Sequence, residues 1–388
     1  MSPKARKSVR RPLSPRIYLL RNWGKSLPLV GVITLAVMLI AGLVSLMDSI
    51  PLSIETIYKY SRFSLGVSTR GDQQAVEEVR AKILDESSVP IGRVMTCRVS
   101  NAMVESIVGS WPFAVLALEQ DDLPYYVERI GGGEITGRYP DAGQPEILIS
   151  RPVATNLGVD MGDTLLRPDS SDNYSPQEVK VVGILESEEW VMLASVEYHR
   201  AYHFPPIDLL IAFSENPQEQ QRLDDWAIKA FEGEPVRLYA YVDMQRETDE
   251  SFKTLYTILN IVIFSLVIVI TVMMGMLINI YQSQRTQEFG LMQAIGYTKS
   301  QILKRVLAET SVVLLGSWLF GVVMAFLLLF LVKSQLFDPR AFGLDPFNPR
   351  SYLYSLPVPV AIFGVSAFDL LTRFRKFDPV QVVERRLA

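Results

Sequence analysis

Four apolar runs are the feature that most limits how this chain can fold. Three of them, at 27–47, 254–284 and 310–332, contain no charged residue. A helix needs about 20 apolar residues to cross the hydrocarbon of a bilayer, so all three are long enough. The fourth run, 351–368, is shorter and contains two prolines, which the first turn of a helix tolerates. The sequence therefore predicts four transmembrane helices.

The first run has a basic segment before it, as a secretory signal peptide would. It is longer than the usual apolar region of such a peptide, about 7–15 residues, and no small-residue cleavage site follows it. We therefore expect an uncleaved span. The segment "PRIYLLRNWGKSL" before it is amphipathic and is predicted to be an interfacial helix lying against membrane lipids.

Basic residues are distributed unevenly between the runs, and this predicts an orientation. Residues 1–26 hold eight Lys or Arg and no acid, and the 285–309 loop and the tail after residue 372 are also basic. Residues 48–253, in contrast, hold 35 acidic and 18 basic residues, a net charge of −17. The positive-inside bias of the short segments predicts cytoplasmic termini, with the 48–253 domain outside.

Residues 48–253 carry mixed patterns that predict an α+β domain. Val76, Val79 and Ile83 share one face of a helix at 72–87, and a second helix is predicted at 216–233. The helix that becomes the second span is expected to start near Asp249. Predicted strands lie at 146–150, 178–185, 207–214 and 235–242.

No catalytic or cofactor motif stands out in this domain. His199 and His203 have the i, i+4 spacing of metal ligands, but without a third ligand a half-exposed turn is the better interpretation. The "GKS" at 24–26 lacks the glycine that opens a nucleotide-binding loop, and Cys97 is alone. The acidic runs 119–122 and 186–189 are expected on solvated faces. We predict no enzyme activity, no metal, no cofactor and no nucleic-acid partner.

The loop "RTQEFGLMQAIGYTKSQILKRVLAE" at 285–309 is too long and too apolar for a simple connector. Gly296 is a natural helix C-terminus, and Thr298 with Gln301 fits a capping box, so two helices are predicted. Their apolar residues either press into a groove on another protein or pack against the ends of the spans, and the sequence leaves both open. These residues are Phe289, Leu291, Met292 and Ile295.

This loop resembles the signature region of MacB/FtsX-type ABC transporter permeases. The layout of one span, a large domain and three further spans is similar to that family, as is "FDPVQVVERR" at 377–386, with Val383 where leucine is usual. The resemblance implies that the loop couples to a cytoplasmic ATPase. The residues carried over are Arg285, Glu288, Phe289, Gly290, Leu291, Met292, Ala294, Ile295 and Gly296.

The family resemblance also implies partners and a mechanism. A separate cytoplasmic ABC ATPase would bind ATP and Mg²⁺, and a second permease copy would complete a homodimer or heterodimer, with a possible periplasmic adaptor and outer-membrane channel. In a bacterial plasma (inner) membrane, ATPase motion would be relayed to the outer domain, which is called mechanotransmission, to export or extract an unidentified hydrophobic or amphiphilic substrate. Alternatives are lipoprotein release, regulation of a cell-wall hydrolase, or a membrane-anchored sensor.

The fold class expected is an α-helical membrane protein with four spans and an α+β extracytoplasmic domain. Small residues at i, i+4 spacing in the third span, Ser317, Gly321 and Ala325, predict a close helix-packing face. The predicted segments are an N-terminal segment 1–26, spans at 27–47, 254–284, 310–332 and 351–372, the domain 48–253, the coupling loop 285–309, an outer loop 333–350 and a tail 373–388.

Overall fold

The computed structural model describes residues 23–106, 109–205 and 208–376. These form two compact units. The membrane unit contains the chain up to Met47, Tyr256–Leu331, and the chain from Asp345 onward; the sheet domain contains Asp48–Leu255 and Val332–Leu344. The predicted interfacial helix, apart from its last residues, and the 377–386 tail lie outside the described residues.

The helices and strands are as follows. The helices are α1 (Trp23–Tyr58), α2 (Gln74–Glu86), α3 (Leu123–Arg129), α4 (Arg151–Leu157), α5 (Val196–Ala201), α6 (Gln220–Ala230), α7 (Tyr241–Gln284), α8 (Thr286–Ala294), α9 (Lys299–Val332), α10 (Pro349–Leu353) and α11 (Pro357–Lys376). The strands are β1 (Leu65–Ser68), β2 (Ile91–Ser106), β3 (Gly109–Leu118), β4 (Ile135–Gly137), β5 (Glu146–Ser150), β6 (Thr164–Leu166), β7 (Val179–Leu185), β8 (Met192–Ser195), β9 (Asp208–Ser214) and β10 (Arg237–Tyr239).

Four helices in the described part of the chain are long and apolar enough to cross a membrane. They contain α1, α7, α9 and α11, so the number of spans and their order along the chain are confirmed. Pro357 is the first residue of α11, where its missing N–H would have no partner in any case.

The membrane unit has one apolar core, to which α1, α7, α9 and α11 all contribute. Gly321 of α9 lies against α1: a Cβ built there would meet the Val37 Cβ at 2.9 Å and the Thr34 Cα at 3.2 Å. Ser317 and Ala325 are also buried. The predicted small-residue face therefore lies on the side of α9 that contacts α1 of the same chain.

The sheet domain is built on one sheet of ten described strands in the order β10-β1-β9-β2-β3-β8-β5-β7-β4, with β6 paired to β7. Most pairs are antiparallel, but β3 with β8 and β5 with β7 are parallel. Val76, Val79 and Ile83 of α2 are buried in a core shared with α6. The α+β class and the amphipathic helix are confirmed.

One predicted strand and one predicted helix start are wrong. The strand expected over 235–242 is only the three-residue β10, paired with β1, and α7 already begins at Tyr241 rather than near Asp249. The Tyr241 N–H at this helix start donates to the buried Asp224 carboxylate, and the Tyr241 hydroxyl donates to Glu55 at 2.5 Å. Long-range contacts therefore fix the start of α7.

Two acidic residues expected in solvent are buried in the sheet domain. Asp122 pairs with Arg93 at 2.7 Å and Glu189 with Lys59 at 3.1 Å. Both belong to acidic runs for which the prediction of solvated faces holds only in part. A short local acid run does not reveal a basic partner that is distant in the sequence.

The two histidines do not share a site. His199 on α5 is buried, its Nε2 lies 3.0 Å from the Ser100 hydroxyl, and desolvation lowers its pKa to about 4. His203 lies beyond the end of the helix with φ 54° and is exposed. Among the described residues no group of His, Cys, Asp or Glu side chains could hold a metal ion.

The segment after α9 packs inside the sheet domain. It contains a π-helical turn at Lys333–Phe337 and a 3-10 turn at Asp338–Arg340. The Arg340 carbonyl accepts a hydrogen bond of 2.8 Å from Asn156 of α4, and Phe342 stacks on Trp190 with ring centroids 5.2 Å apart. The predicted outer loop 333–350 is thus largely an ordered part of this domain.

Candidate functional site

The chain between α7 and α9 forms two helices that meet at a glycine. After α8, the Gly296 N–H donates to the Gln293 carbonyl at 2.9 Å and the Tyr297 N–H to the Met292 carbonyl at 3.1 Å. This bond pair, with Gly296 at φ +101°, is the Schellman ending of a helix. Gly296 terminates the first helix, as predicted.

The second helix begins with the predicted capping box. The Gln301 N–H donates to the Thr298 hydroxyl at 3.3 Å, and the Gln301 side-chain oxygen accepts from the Thr298 N–H at 3.0 Å. Two N–H groups with no partner inside the helix are satisfied in this way. The loop is therefore a fixed helix–turn–helix, and the two-helix prediction is confirmed.

A buried ion cluster closes the base of this loop. The Arg285 Nη1 lies 2.9 Å from the Glu309 Oε2, and both side chains are almost fully buried. Glu309 also accepts from Arg305 at 3.1 Å, and the Arg285 guanidinium lies over the Phe289 ring, 5.5 Å from its centroid. Arg285 and Glu309, the charged residues at the two ends of the 285–309 loop, are therefore paired inside the protein.

Phe289 packs within the membrane unit. It is 4% exposed and lies in a cluster with Ile302 and Val306 of α9 and Leu370 and Phe374 of α11. Its ring centroid lies 5.6 Å from that of Phe374. Met292 is partly buried against the same cluster. These two members of the predicted coupling set anchor the loop to α9 and α11.

Leu291 and Ile295 lie on the outer face of the loop. They are 67% and 71% exposed, and Tyr297 is 40% exposed. Gln287, Glu288 and Lys299 are exposed polar residues nearby in the loop. The outer face of the loop is thus a small apolar patch with polar neighbours, carried on an element that its inner face fixes in place.

The predicted site residues divide between these faces. Arg285, Phe289 and Met292 are turned inward, Gly290 is half-buried, and the exposed members are Glu288, Leu291, Ala294, Ile295 and Gly296. Sequence reasoning missed Leu370 and Phe374, which are about 80 positions away. Arg305 carried a signal, because it precedes Glu309 by one helical turn.

A polar cluster joins α7 and α11 beside the loop, and the sequence reasoning missed it. The Asn279 amide donates to Asp369 at 3.0 Å, Arg373 pairs with Asp369 at 3.1 Å, and the Arg373 guanidinium also donates to the Asn279 side-chain oxygen. The position of Asp369 just after the fourth apolar run was the available signal.

Four apolar helices, a sheet domain between the first two and a rigid helical loop before the third define a polytopic membrane protein. Residues 260–379 match the family model described as FtsX-like permease C-terminal. This part of the chain is therefore similar to FtsX-like permeases, and the resemblance seen in the sequence is confirmed for these residues. No curated protein matches the chain.

Two solved structures are similar to about half of the chain each. The periplasmic region of MacB from Actinobacillus actinomycetemcomitans is 8% identical, with 48% of this chain and 92% of that chain covered and a TM-score of 0.28. The extracellular domain of the noncanonic ABC-type transporter YknZ from Gram-positive bacteria is 12% identical, with 45% and 98% covered and a TM-score of 0.28.

Proposed function

We propose that this chain is the permease subunit of a bacterial ABC exporter and that it relays the motion of a separate ATPase to an extracytoplasmic sheet domain. The family match of residues 260–379 supports the permease role. The observation that carries the coupling role is the 285–309 loop, whose exposed Leu291 and Ile295 stand on an element fixed by the buried Arg285–Glu309 pair.

The exposed patch suits a groove on a partner protein. A small apolar anchor with polar neighbours is the usual composition of an interface centre, and a few such residues dominate the affinity. A loop held by two helix caps and a buried ion cluster loses little conformational entropy on binding, which favours the complex. Motion of a bound ATPase would therefore be transmitted to α7 and α9 rather than absorbed by the loop.

The helix α7 is the element proposed to transmit that motion. It is continuous from Tyr241 to Gln284, with its residues up to Leu255 in the sheet domain and the remainder in the membrane unit. Its first turn is bonded to the sheet domain by Tyr241, which donates to both Asp224 and Glu55. A helix anchored in this way supports mechanotransmission, in which the substrate need not pass between the spans.

The orientation and the assembly belong to the same proposal. Basic short segments support cytoplasmic termini and a cytoplasmic 285–309 loop in the plasma membrane. A second permease copy, identical or related, completes the complex with two ATPase subunits, and a periplasmic adaptor with an outer-membrane channel would serve export across a second membrane. Nucleotide and Mg²⁺ are bound by the ATPase. The substrate class that suits this mechanism is hydrophobic or amphiphilic.

Copurification tests the function. The tagged full chain, extracted from its native membranes in mild detergent, should retain a protein with the nucleotide-binding motifs of an ABC ATPase. ATP turnover of that ATPase should be higher in the complex than alone. A correctly folded chain that retains no such ATPase would contradict the proposal and would favour a sensor role.

A further inference from the structure

A cleft in the membrane unit lies between the end of α7, the first turns of α8 and the end of α11. Its volume is about 410 Å³, within the range of about 300–1,000 Å³ that is usual for small-molecule sites. Its lining residues are of two kinds, which we call its apolar wall (Phe289, Leu370 and Phe374) and its polar wall (Gln282, Thr286, Thr372 and Arg373). The cleft is therefore amphipathic, and neither the family match nor the coupling role assigns an occupant to it.

The polar wall contains a hydrogen-bond acceptor without a donor, the side-chain oxygen of Gln282. The residue is 5% exposed, and its side-chain Oε1 is buried without a hydrogen bond in the described part of the chain. A buried acceptor of this kind is costly and rare in proteins unless something outside the chain donates to it. The occupant of the cleft should therefore carry a hydrogen-bond donor.

Thr286 adds a second acceptor. Its hydroxyl donates to the Ser283 carbonyl at 2.7 Å, so the hydroxyl proton is already used and the oxygen can only accept from an occupant. Two acceptors on one wall favour a ligand group with several donors, such as vicinal hydroxyls or an ammonium.

Arg373 supplies a positive charge to the same wall. Its Nε and Nη2 are used on Asp369 and Asn279, and these bonds hold the guanidinium in one orientation. Within residues 23–106, 109–205 and 208–376 no bond to Nη1 is seen, so this group can bind an anion. A phosphate is the anion that such a fixed guanidinium binds well.

The position of the cleft along the spans favours a membrane lipid as the molecule that carries the phosphate. No charged residue occurs in α7 from 254 to 284 or in α11 from 357 to 368, so Gln282 and Arg373 lie near the ends of both apolar stretches. In a membrane this is the level of the lipid headgroups, where basic pockets between helices bind phospholipids. The apolar wall at the same level suits the glycerol and upper acyl region of a lipid.

We propose that this cleft binds one phospholipid whose headgroup carries donors, a glycerol or an ethanolamine. The lipid phosphate binds Arg373, the headgroup donors bind Gln282 and Thr286, and the acyl end contacts Phe289 and Phe374. Choline offers no donor and is the disfavoured headgroup. Because Phe289 also holds the inner face of the 285–309 loop, a bound lipid would stiffen that loop.

Lipid binding to the purified full chain tests this site. Native mass spectrometry in detergent would compare phosphatidylglycerol, phosphatidylethanolamine and phosphatidylcholine, each with the same acyl chains and added at equal concentration. We expect one of the first two to be retained at least about fivefold better than phosphatidylcholine, the equivalent of about one hydrogen bond. Equal retention of all three lipids would overturn the proposal.

Variants separate this site from general lipid adhesion. Gln282→Leu should abolish the preference over phosphatidylcholine, and Arg373→Gln should lower retention of every phospholipid about tenfold. Arg375→Gln is the matched control, because Arg375 carries the same charge two residues along α11, is exposed and does not line the cleft. A preference that survives Gln282→Leu would overturn the assignment even if Arg373→Gln does not fold.

A soluble ligand is the remaining alternative, and a competition experiment distinguishes it. Glycerol phosphate, which has the headgroup chemistry but no acyl chains, should not displace the bound lipid at equal concentration. Displacement by glycerol phosphate would show that the cleft serves a soluble phosphate compound and would refute the lipid assignment.

Discussion

Arg285 and Glu309 are 24 positions apart in the chain, and their side chains meet at 2.9 Å in the interior of the membrane unit. Arg285 follows the last residue of α7 and Glu309 lies in the third turn of α9. The pair therefore fixes the distance between the two ends of the loop. Removing one partner of such a buried pair leaves an uncompensated charge, at a cost of about 3–5 kcal/mol.

Glu309→Gln should loosen the loop more than any other single charge removal in it. Glu309 is shared by Arg285 and Arg305, so Arg305 would lose its counter-charge and Arg285 would keep only the exposed Glu288, at 3.2 Å. We expect a lower melting temperature in detergent and faster protease cleavage within residues 285–309. Glu288→Gln is the control: its side chain is 51% exposed, and exposed pairs contribute about 1 kcal/mol or less. Unchanged cleavage of Glu309→Gln would contradict the role of this pair.

Gly321→Leu should disrupt the packing of α9 on α1. Even a Cβ at this position would lie 2.9 Å from the Val37 Cβ, and overpacking typically costs about 1–3 kcal/mol. Thermal unfolding of the purified chain measures the loss. Gly316→Ala on the same helix is the matched control, because a Cβ there meets nothing within 4 Å. Equal melting of both variants would show that α9 does not pack on α1 through this face.

Asp224 should make the protein less stable as the pH rises. Burial raises the pKa of this carboxyl from 3.8 to about 7, in spite of bonds from Gln220 and the Tyr241 N–H. The folded protein holds this proton between those values while the unfolded chain releases it, so the contribution of Asp224 is present below the lower value and lost as pH rises to the higher one.

Comparison with Asp224→Asn isolates this effect. Relative to the wild type, the variant should gain stability from about pH 4 to about pH 7, by on the order of a few kcal/mol, and change little above that. The measurement is the melting temperature of both proteins in detergent over this pH range. A difference between them that is constant with pH would show that Asp224 is not protonated in the folded protein.

Single cysteines test the orientation of the chain. Ser171 and Ser300 are both exposed, while the native Cys97 is buried. A membrane-impermeant thiol reagent applied to intact cells should label Ser171→Cys and leave Ser300→Cys unlabelled until the cells are opened. The reverse pattern would place the 285–309 loop outside and would exclude ATPase coupling through it.

Local patterns were sufficient to predict the spans, the amphipathic α2 and both helix caps of the loop. The helix α2 and the caps depend on residues within about four positions of one another, such as Thr298 and Gln301. A span depends on one uninterrupted apolar run. The start of α7 was missed because Leu238, Ala240 and Val242 alternate as a strand would. That start is fixed by Asp224 and Glu55, which are distant in the sequence.

The same limit explains why the sequence could not divide the loop into two faces. Phe289, Met292 and Ile295 have one spacing, and helical periodicity cannot say which of them has a partner. The partners of Phe289 include Leu370 and Phe374 on the last helix. Phe289 is inside, so the packing hypothesis holds for that residue. Leu291 and Ile295 are exposed, and their contact with an ATPase stays a prediction.

The two faces predict different defects. Phe289→Ala removes a buried aromatic side chain and should destabilise the membrane unit by about 3–5 kcal/mol. Gly296→Val should also distort the turn between α8 and α9, since a β-branched residue is strained at φ +101°. Leu291→Ala and Ile295→Ala remove exposed side chains and should leave melting and expression unchanged.

ATPase retention by the Leu291→Ala, Ile295→Ala double variant is the most direct test of the coupling role. Wild type, double variant and Gln287→Ala, an exposed polar position on α8, would be purified from native membranes at matched expression. Loss of an apolar anchor typically costs about 2 kcal/mol or more, roughly thirtyfold in affinity. We predict that the double variant melts as the wild type but loses most of the ABC ATPase, while Gln287→Ala retains it. Equal ATPase recovery from all three proteins would contradict the account.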